Sequence, residues 1–260
     1  MANNLNSLRN KRVGLALSGG AVRGLAHIGV IKVLHQAGIK PAVVAGTSVG
    51  SIIGAAMAAG MDWREMADMA RSIFWPRLLH GKTLERFSSH HLPATFEQLE
   101  TRFAAVATAV SSKKPISMTS GPLPSAISAS CALRLLRRPV SREGLQLKDG
   151  GFSCVLPTHV CRQLDAEVVI ASDVWEWSSL MRSLGCSPDR RWNTRAYPSH
   201  YRFALSHTDI HIHPEIPVAG YVPGAAAVAR MIAVGERTAE RVLESLSKAQ
   251  EIRNEALHDK

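Results

Sequence analysis

AVVAGTSVGSIIGAAMAAG, residues 42–60, is the stretch whose reading decides the fold. Ala42 to Ala45 form an apolar β-type run, Gly46-Thr47-Ser48-Val49-Gly50 turns sharply, and the Ala/Ile-rich remainder reads as a buried helix. Gly-X-Ser-X-Gly between a strand and a helix presents a serine hydroxyl on a tight, strained turn. Gly46 and Gly50 suit that turn because a Cβ at either position would collide with the strand or the helix. Ser48 then stands at a helix N-terminus, where unpaired amides and the helix dipole favour developing negative charge. Residues 41–61 carry no charge and are long enough to cross a bilayer. Pro41, the glycines and the polar Thr47, Ser48 and Ser51 argue instead for a buried strand and helix of a soluble domain.

Upstream of this stretch, Val13 to Leu17 is a short apolar run that reads as the first buried strand. It empties into Ser18-Gly19-Gly20-Ala21-Val22-Arg23-Gly24, followed by Leu25, Ile28, Ile31 and Leu34 at helical spacing. A glycine-rich loop in this setting offers bare backbone N–H groups to an anion. A dinucleotide pyrophosphate is disfavoured, because Ala21 replaces the second glycine of GxGxxG and the first acid after the loop is Asp62. A Walker loop is excluded by the absence of a Gly-Lys-Ser/Thr triplet. Beside an elbow serine, an oxyanion hole is the economical reading. Arg23 either braces the loop, attracts an anionic headgroup or is a surface arginine.

Downstream, Trp63 to Phe74 reads as a helix, Trp75 to Pro93 as an irregular segment that is either a lid or a surface loop, and Thr95 to Leu99 as a short capped helix. Arg102 to Val110 reads as a strand. Asp149-Gly150 by itself is a favoured turn dipeptide. A helical segment is expected from there to Leu164, then a buried strand from Glu167 to Val174. Residues 175–203 interleave Trp175, Trp177, Trp192, Tyr197 and Tyr201 with Arg182, Arg190, Arg191, Arg195 and Arg202, a pattern that suits lipid headgroups, single-stranded nucleic acid or a structural loop. His211 and His213 alternate with Ile210 and Ile212 and point the same way, with Asp209 and His207 nearby. Two histidines and a carboxylate suit zinc, but the polar face of an edge strand is the plainer reading and no metal is expected. The same histidines are candidates for closing a Ser-His-Asp triad. Ala225 to about Ser247 forms an amphipathic last helix.

A chain of 260 residues with 46% hydrophobic content supports one large α/β domain, here residues 11–247, between a flexible tail at 1–10 and a charged tail at 248–260. Cys131, Cys154, Cys161 and Cys186 have no zinc spacing and fit reduced thiols. The N-terminus lacks an apolar signal region, so a cytoplasmic place is expected, with peripheral contact at the inner membrane surface. A formal charge of +10 and a pI near 9.9 direct the protein toward polyanions, among which net charge does not choose.

Three ordered blocks, SGGAVRGLAHIGVIKVLHQAGI (18–39), GTSVGSIIGAAMAAGMDW (46–63) and DGGFSCVLP (149–157), resemble the patatin-like phospholipases, in particular their short stand-alone bacterial members. Weaker similarity extends the resemblance over about residues 11–247. It implies a three-layer α/β/α fold with a mostly parallel central sheet and a lipid acyl hydrolase acting on lipid or fatty-acyl esters without cofactor or metal. In it Ser48 would be the nucleophile, Asp149 its base, and the amides of Gly19, Gly20 and Ala21 the oxyanion hole. Arg23, Gly24, Gly46, Val49, Gly50, Gly150 and Gly151 complete the motifs. The sequence departs from the family at Ser18 or Ala21, where a glycine is usual, at Cys154 in place of asparagine, and at Arg134 in place of proline. A dyad demands an aspartate more basic than the ordinary carboxyl near 3.9, hence burial. The rival from another class is a catalytically silent member that binds anionic membrane lipid or, less in keeping with the motifs, nucleic acid.

Overall fold

The computed structural model describes residues 6–73, 78, 82–133, 137–176, 197–216 and 224–258. Eight strands form one sheet: β1 (Val13–Leu17), β2 (Val43–Thr47), β3 (Arg102–Ala109), β4 (Pro115–Met118), β5 (Val140–Arg142), β6 (Leu145–Asp149), β7 (Val168–Ser172) and β8 (Ile210–Ile212). Their order is β5-β6-β3-β2-β1-β7-β8, with β4 also pairing β3. The run β3-β2-β1-β7-β8 is parallel, whereas β4 and β6 lie antiparallel to β3, and β5 to β6. Every residue of β1, β2 and β7 is buried, as expected for parallel strands covered on both faces.

Nine helices are described: α1 (Asn6–Arg9), α2 (Ala26–Gln36), α3 (Val49–Ala58), α4 (Trp63–Ser72), α5 (Thr83–His91), α6 (Leu123–Ser130), α7 (Thr158–Gln163), α8 (Ser199–Ser206) and α9 (Ala225–His258). Leu15, Leu17, Val44 and Phe103 face a large core shared with α2, α3, α6 and α9. Ala16, Val43, Ala45 and Val106 face a smaller core with Val160, Cys161, Tyr201 and Ala204 of α7 and α8. The architecture is thus three-layered, α/β/α. Local chemistry sets the boundaries: Asp62 and Glu65 form a capping box at the start of α4, and Thr95 and Gln98 do the same for the short 3-10 turn Phe96–Gln98. The helices α2 and α9 approach so closely that a Cβ on Gly29 would lie 2.0 Å from the Ile232 carbonyl oxygen, and one on Gly235 equally near that of Ala26.

Several expectations are corrected. The segment expected to be irregular at 75–93 contains α5, because Leu84 and Ser88, one turn apart, are buried while Arg86 and His90 point outward. The expected helix from Asp149 to Leu164 is a 3-10 turn at Gly150–Phe152 and then α7. The charged stretch after Ser247, open to continuing the last helix, does so as far as His258. The tail expected at 1–10 contains α1, and Arg9 donates from Nη2 to the Ala37 carbonyl at 2.7 Å. The uncharged run 41–61 divides into β2 and the ten-residue α3, and no described helix is long and apolar enough to cross a membrane.

Candidate active site

Register brings two distant segments together. Thr47, the last residue of β2, pairs Val106 of β3, and the next β3 residue, Ala107, pairs Asp149, the last residue of β6. Ser48 and Asp149 therefore flank β3, and Ser48 Oγ donates to Asp149 Oδ2 at 2.8 Å. Ser48 has φ 54°, the left-handed region that a side chain rarely occupies. Gly50 makes this turn possible, since a Cβ there would lie 2.3 Å from the Leu17 carbonyl oxygen. Gly46 sits at the same crossing of β2 and α3, and Gly24 packs against Val49. Ser51 ties the turn from α3, its Oγ donating to the Ser48 carbonyl at 2.6 Å.

Asp149 is 5% exposed, and this burial pushes its carboxyl up to about 6 against the opposing hydrogen bonds from the Gly151 amide and Ser48. The Gly151 N–H donates to Oδ1 at 2.8 Å, which leaves Oδ2 to the serine. Gly150 begins the 3-10 turn, and Thr108 Oγ1 donates to the Asp149 carbonyl at 2.9 Å. The family's usual asparagine would stand at Cys154, whose thiol is buried in the smaller core. That residue acts here through its backbone carbonyl, which accepts from Thr47 Oγ1 at 2.8 Å.

The glycine loop covers the serine from β1. The amide of Gly19 donates to the Val155 carbonyl at 2.9 Å, so of the three expected oxyanion donors this one is already paired. No acceptor is found for the amides of Gly20 and Ala21 among the described residues. Ala21 adopts φ 52°, an unusual conformation for an alanine, at the exposed rim. Ser18 turns away from Ser48: its Oγ accepts from the Val174 amide at 2.8 Å, so its side chain does not narrow the site. Arg23 braces the loop, with Nε donating to the Gly20 carbonyl at 3.3 Å and Nη1 paired to the buried Glu176 at 3.2 Å. Behind it, His27 bridges Ser172 Oγ and the Ser18 carbonyl, and burial lowers its pKa to about 4, so it is neutral there.

A cavity of about 280 Å³ opens over Ser48 and Asp149, walled by Gly20, Ala21, Ile52, Leu133, Phe152 and Trp175 among others. Cys131 also faces it, with burial pushing the thiol up to about 12, so it is a neutral group. A family model described as patatin-like phospholipase matches residues 15–162, which contain the loop, the elbow and Asp149.

The chain belongs to the patatin-like phospholipase family.

It is 34% identical over 175 residues to an uncharacterised NTE family protein of Mycobacterium tuberculosis, covering 62% of this chain and 48% of that protein. It is 33% identical over 184 residues to a lysophospholipase of Aspergillus fumigatus, covering 64% of this chain and 12% of the relative. The patatin-like chain thus spans about half the length of the mycobacterial relative and a small part of the fungal one. Among solved structures, VipD from Legionella pneumophila matches with a TM-score of 0.58 at 13% identity, covering 90% of this chain and 67% of that one, a likeness of fold.

The remaining candidates fall elsewhere in this patatin-like domain. Among the described residues, no histidine lines the cavity. His207 contacts the Phe203 ring, and His211 and His213 gather around Asp173. Asp209, expected to join the two histidines, instead pairs Arg162 at 2.5 Å and accepts from the Val169 amide. Of the Trp/Arg-rich segment, Trp175, Tyr197 and Tyr201 pack on one another, which makes these three a structural cluster. Trp177, Trp192, Arg182, Arg190, Arg191 and Arg195 lie outside the described residues, as do Arg134 and Cys186. The motifs did not single out Ser130, whose Oγ accepts from the Ser48 amide at 2.9 Å and donates to the Val106 carbonyl at 2.6 Å. A serine directly before the pocket-facing Cys131 carries no pattern that would have marked it.

Proposed function

We propose that this domain hydrolyses carboxylic esters of lipids or fatty-acyl compounds through Ser48 and Asp149. The observation that carries the reading is the 2.8 Å hydrogen bond from the Ser48 hydroxyl to a buried carboxylate beneath a loop rich in backbone donors. Asp149 Oδ2 takes the Ser48 proton as Oγ bonds to the ester carbonyl carbon. The carbonyl oxygen, now negative, is held by the amides of Gly20 and Ala21 and by the N-terminus of α3 at Val49. Collapse of this intermediate breaks the bond to the leaving alcohol, which receives the proton from Asp149. Water then attacks the acyl-serine with Asp149 again as base, releasing the fatty acid and restoring the hydroxyl. Because Gly19 already donates to Val155, the hole in this account uses two loop amides. The largely apolar cavity suits an acyl chain, and the membership of the family supports the lipid class.

The test is hydrolysis of p-nitrophenyl esters of graded chain length and of a lysophospholipid. Ser48→Ala and Asp149→Asn, both folded, are expected to lose activity by at least ~1,000-fold. Unchanged turnover in either would remove the dyad. Turnover in neither wild type nor variants, with retained binding to anionic vesicles, would favour the silent lipid-binding reading.

A further inference from the structure

The β8 edge of the sheet, at the same strand ends as Ser48 and Asp149, carries a second cluster of reactive groups. Ser172 of β7 pairs Ile212 of β8, and Asp173, the next residue, donates its amide to the Ile212 carbonyl, which sets it beside His211 and His213. Ile210 and Ile212 are buried in the large core, and the alternating His211 and His213 turn to the opposite face. There His211 Nε2 lies 3.1 Å and His213 Nδ1 3.3 Å from the same oxygen, Asp173 Oδ2. All three donor atoms lie within 4.8 Å of one another.

Three observations separate this cluster from an ordinary hydrogen-bonded trio. Asp173 is fully buried, and its Oδ2 already accepts from the Tyr201 hydroxyl at 2.5 Å while Oδ1 accepts from the Trp175 amide at 3.0 Å. The carboxylate is thus oriented by neighbours of the kind that hold a ligating aspartate in place. The His213 side chain is only 9% exposed, yet among the described residues neither of its ring nitrogens has a hydrogen-bond partner: Nδ1 lies 3.3 Å from Asp173 Oδ2 without making a hydrogen bond. Finally, bonds of about 2.0–2.1 Å to a tetrahedral ion put donor atoms about 3.3 Å apart, close to the spacings from Asp173 to both histidines.

We propose that Asp173, His211 and His213 form a binding site for a divalent transition metal of the zinc class. Two neutral imidazoles and one carboxylate favour such an ion over magnesium or calcium, which prefer oxygen-only sets. The fourth position belongs to water, since His211 is 35% exposed at the edge. The ion would join the end of β7 to β8. That end also carries the amide of Val174, on which Ser18 rests, Trp175, which walls the cavity, and Glu176, which holds Arg23. The role is structural, a clamp beneath the glycine loop, and it does not depend on the hydrolase reading. It differs from the sequence expectation, in which the histidines form a bare polar strand face and Asp209 is their neighbour.

The experiment is titration of the full-length, tag-free, chelator-stripped protein with Zn²⁺ by calorimetry, with Co²⁺ absorption as a report on coordination. One equivalent of Zn²⁺ is expected with a Kd of micromolar or below. Co²⁺ should give intense visible bands of a four- or five-coordinate site, and Mg²⁺ no binding. His211→Gln, at an exposed position that does not threaten folding, should weaken Zn²⁺ binding by ~100-fold and abolish the Co²⁺ bands; His213→Gln should do the same. Zn²⁺ should raise the melting temperature of the wild type and not of His211→Gln. Failure to take up Zn²⁺, or uptake equal in wild type and both variants, would overturn the site; the second result would assign the ion to other histidines or thiols.

Discussion

The Ser48 amide donates to Ser130 Oγ, and that hydroxyl donates in turn to the Val106 carbonyl. Removing it in Ser130→Ala leaves a buried donor and a buried acceptor without partners. A loss of about 1–3 kcal/mol in chemical denaturation is expected, with kcat falling more than KM rises because the substrate cavity is untouched while the serine shifts. Asp149 carries the opposite tension. Its folded carboxyl titrates near 6 and its unfolded one near 3.9, so between those values the folded chain holds the extra proton. Stability therefore falls as pH rises from about 4 through about 6, with a cost on the order of 3 kcal/mol fully present above that window. Asp149→Asn should be inactive yet melt higher than wild type at pH 7.5, with the difference gone at pH 4; an Asn variant less stable at pH 7.5 would show that the carboxylate is held favourably. At this scale Ser48 and the loop glycines were legible because their motifs constrain backbone shape, whereas Asp149-Gly150 alone reads as a turn and only the resemblance of the ordered blocks singled out Asp149. The pairing of Gly19 with Val155 and the part played by Ser130 were not, since a contact to a backbone atom leaves no side-chain pattern.

Among the elements, β1, β2, β3 and β7 were legible because each is a mainly apolar run of strand length. The helix α5 was missed because histidines, serines and an arginine dilute its period, and only Leu84 and Ser88 are fully inward. Its place in the fold comes from packing against α6, a tertiary term that the segment does not announce. The α2–α9 crossing is the element contact most sensitive to a single methyl group. Gly29→Ala would drive a Cβ into the Ile232 carbonyl and the Glu236 amide, both backbone atoms that cannot rotate away. A loss of about 1–3 kcal/mol and a melting temperature lower by several degrees are expected, measured by circular dichroism. An unchanged melting temperature would mean that α9 slides freely along α2.

For the whole molecule, a formal charge of +10 meets an apolar cavity whose rim exposes Leu133 at 40% and Phe152 at 47%, with Lys148 Nζ 4.4 Å from the Phe152 ring centre. On the proposed reading, this combination would serve approach to an anionic surface followed by contact of the rim with acyl chains. Binding to anionic vesicles should weaken by at least ~10-fold between 50 and 300 mM salt, and neutralising Arg190, Arg191 and Arg195 should weaken it in low salt. Salt-independent binding in a vesicle sedimentation assay would discard electrostatic approach.

The central claim, that a buried Asp149 activates Ser48, is tested most directly by the rate at which a fluorophosphonate modifies the protein as pH is varied, with the adduct located by mass spectrometry. A single adduct on Ser48 is predicted, forming faster as pH rises through about 6 and at least ~100-fold more slowly in Asp149→Asn. A pH-independent rate equal in wild type and Asp149→Asn, or an adduct on another residue, would contradict it.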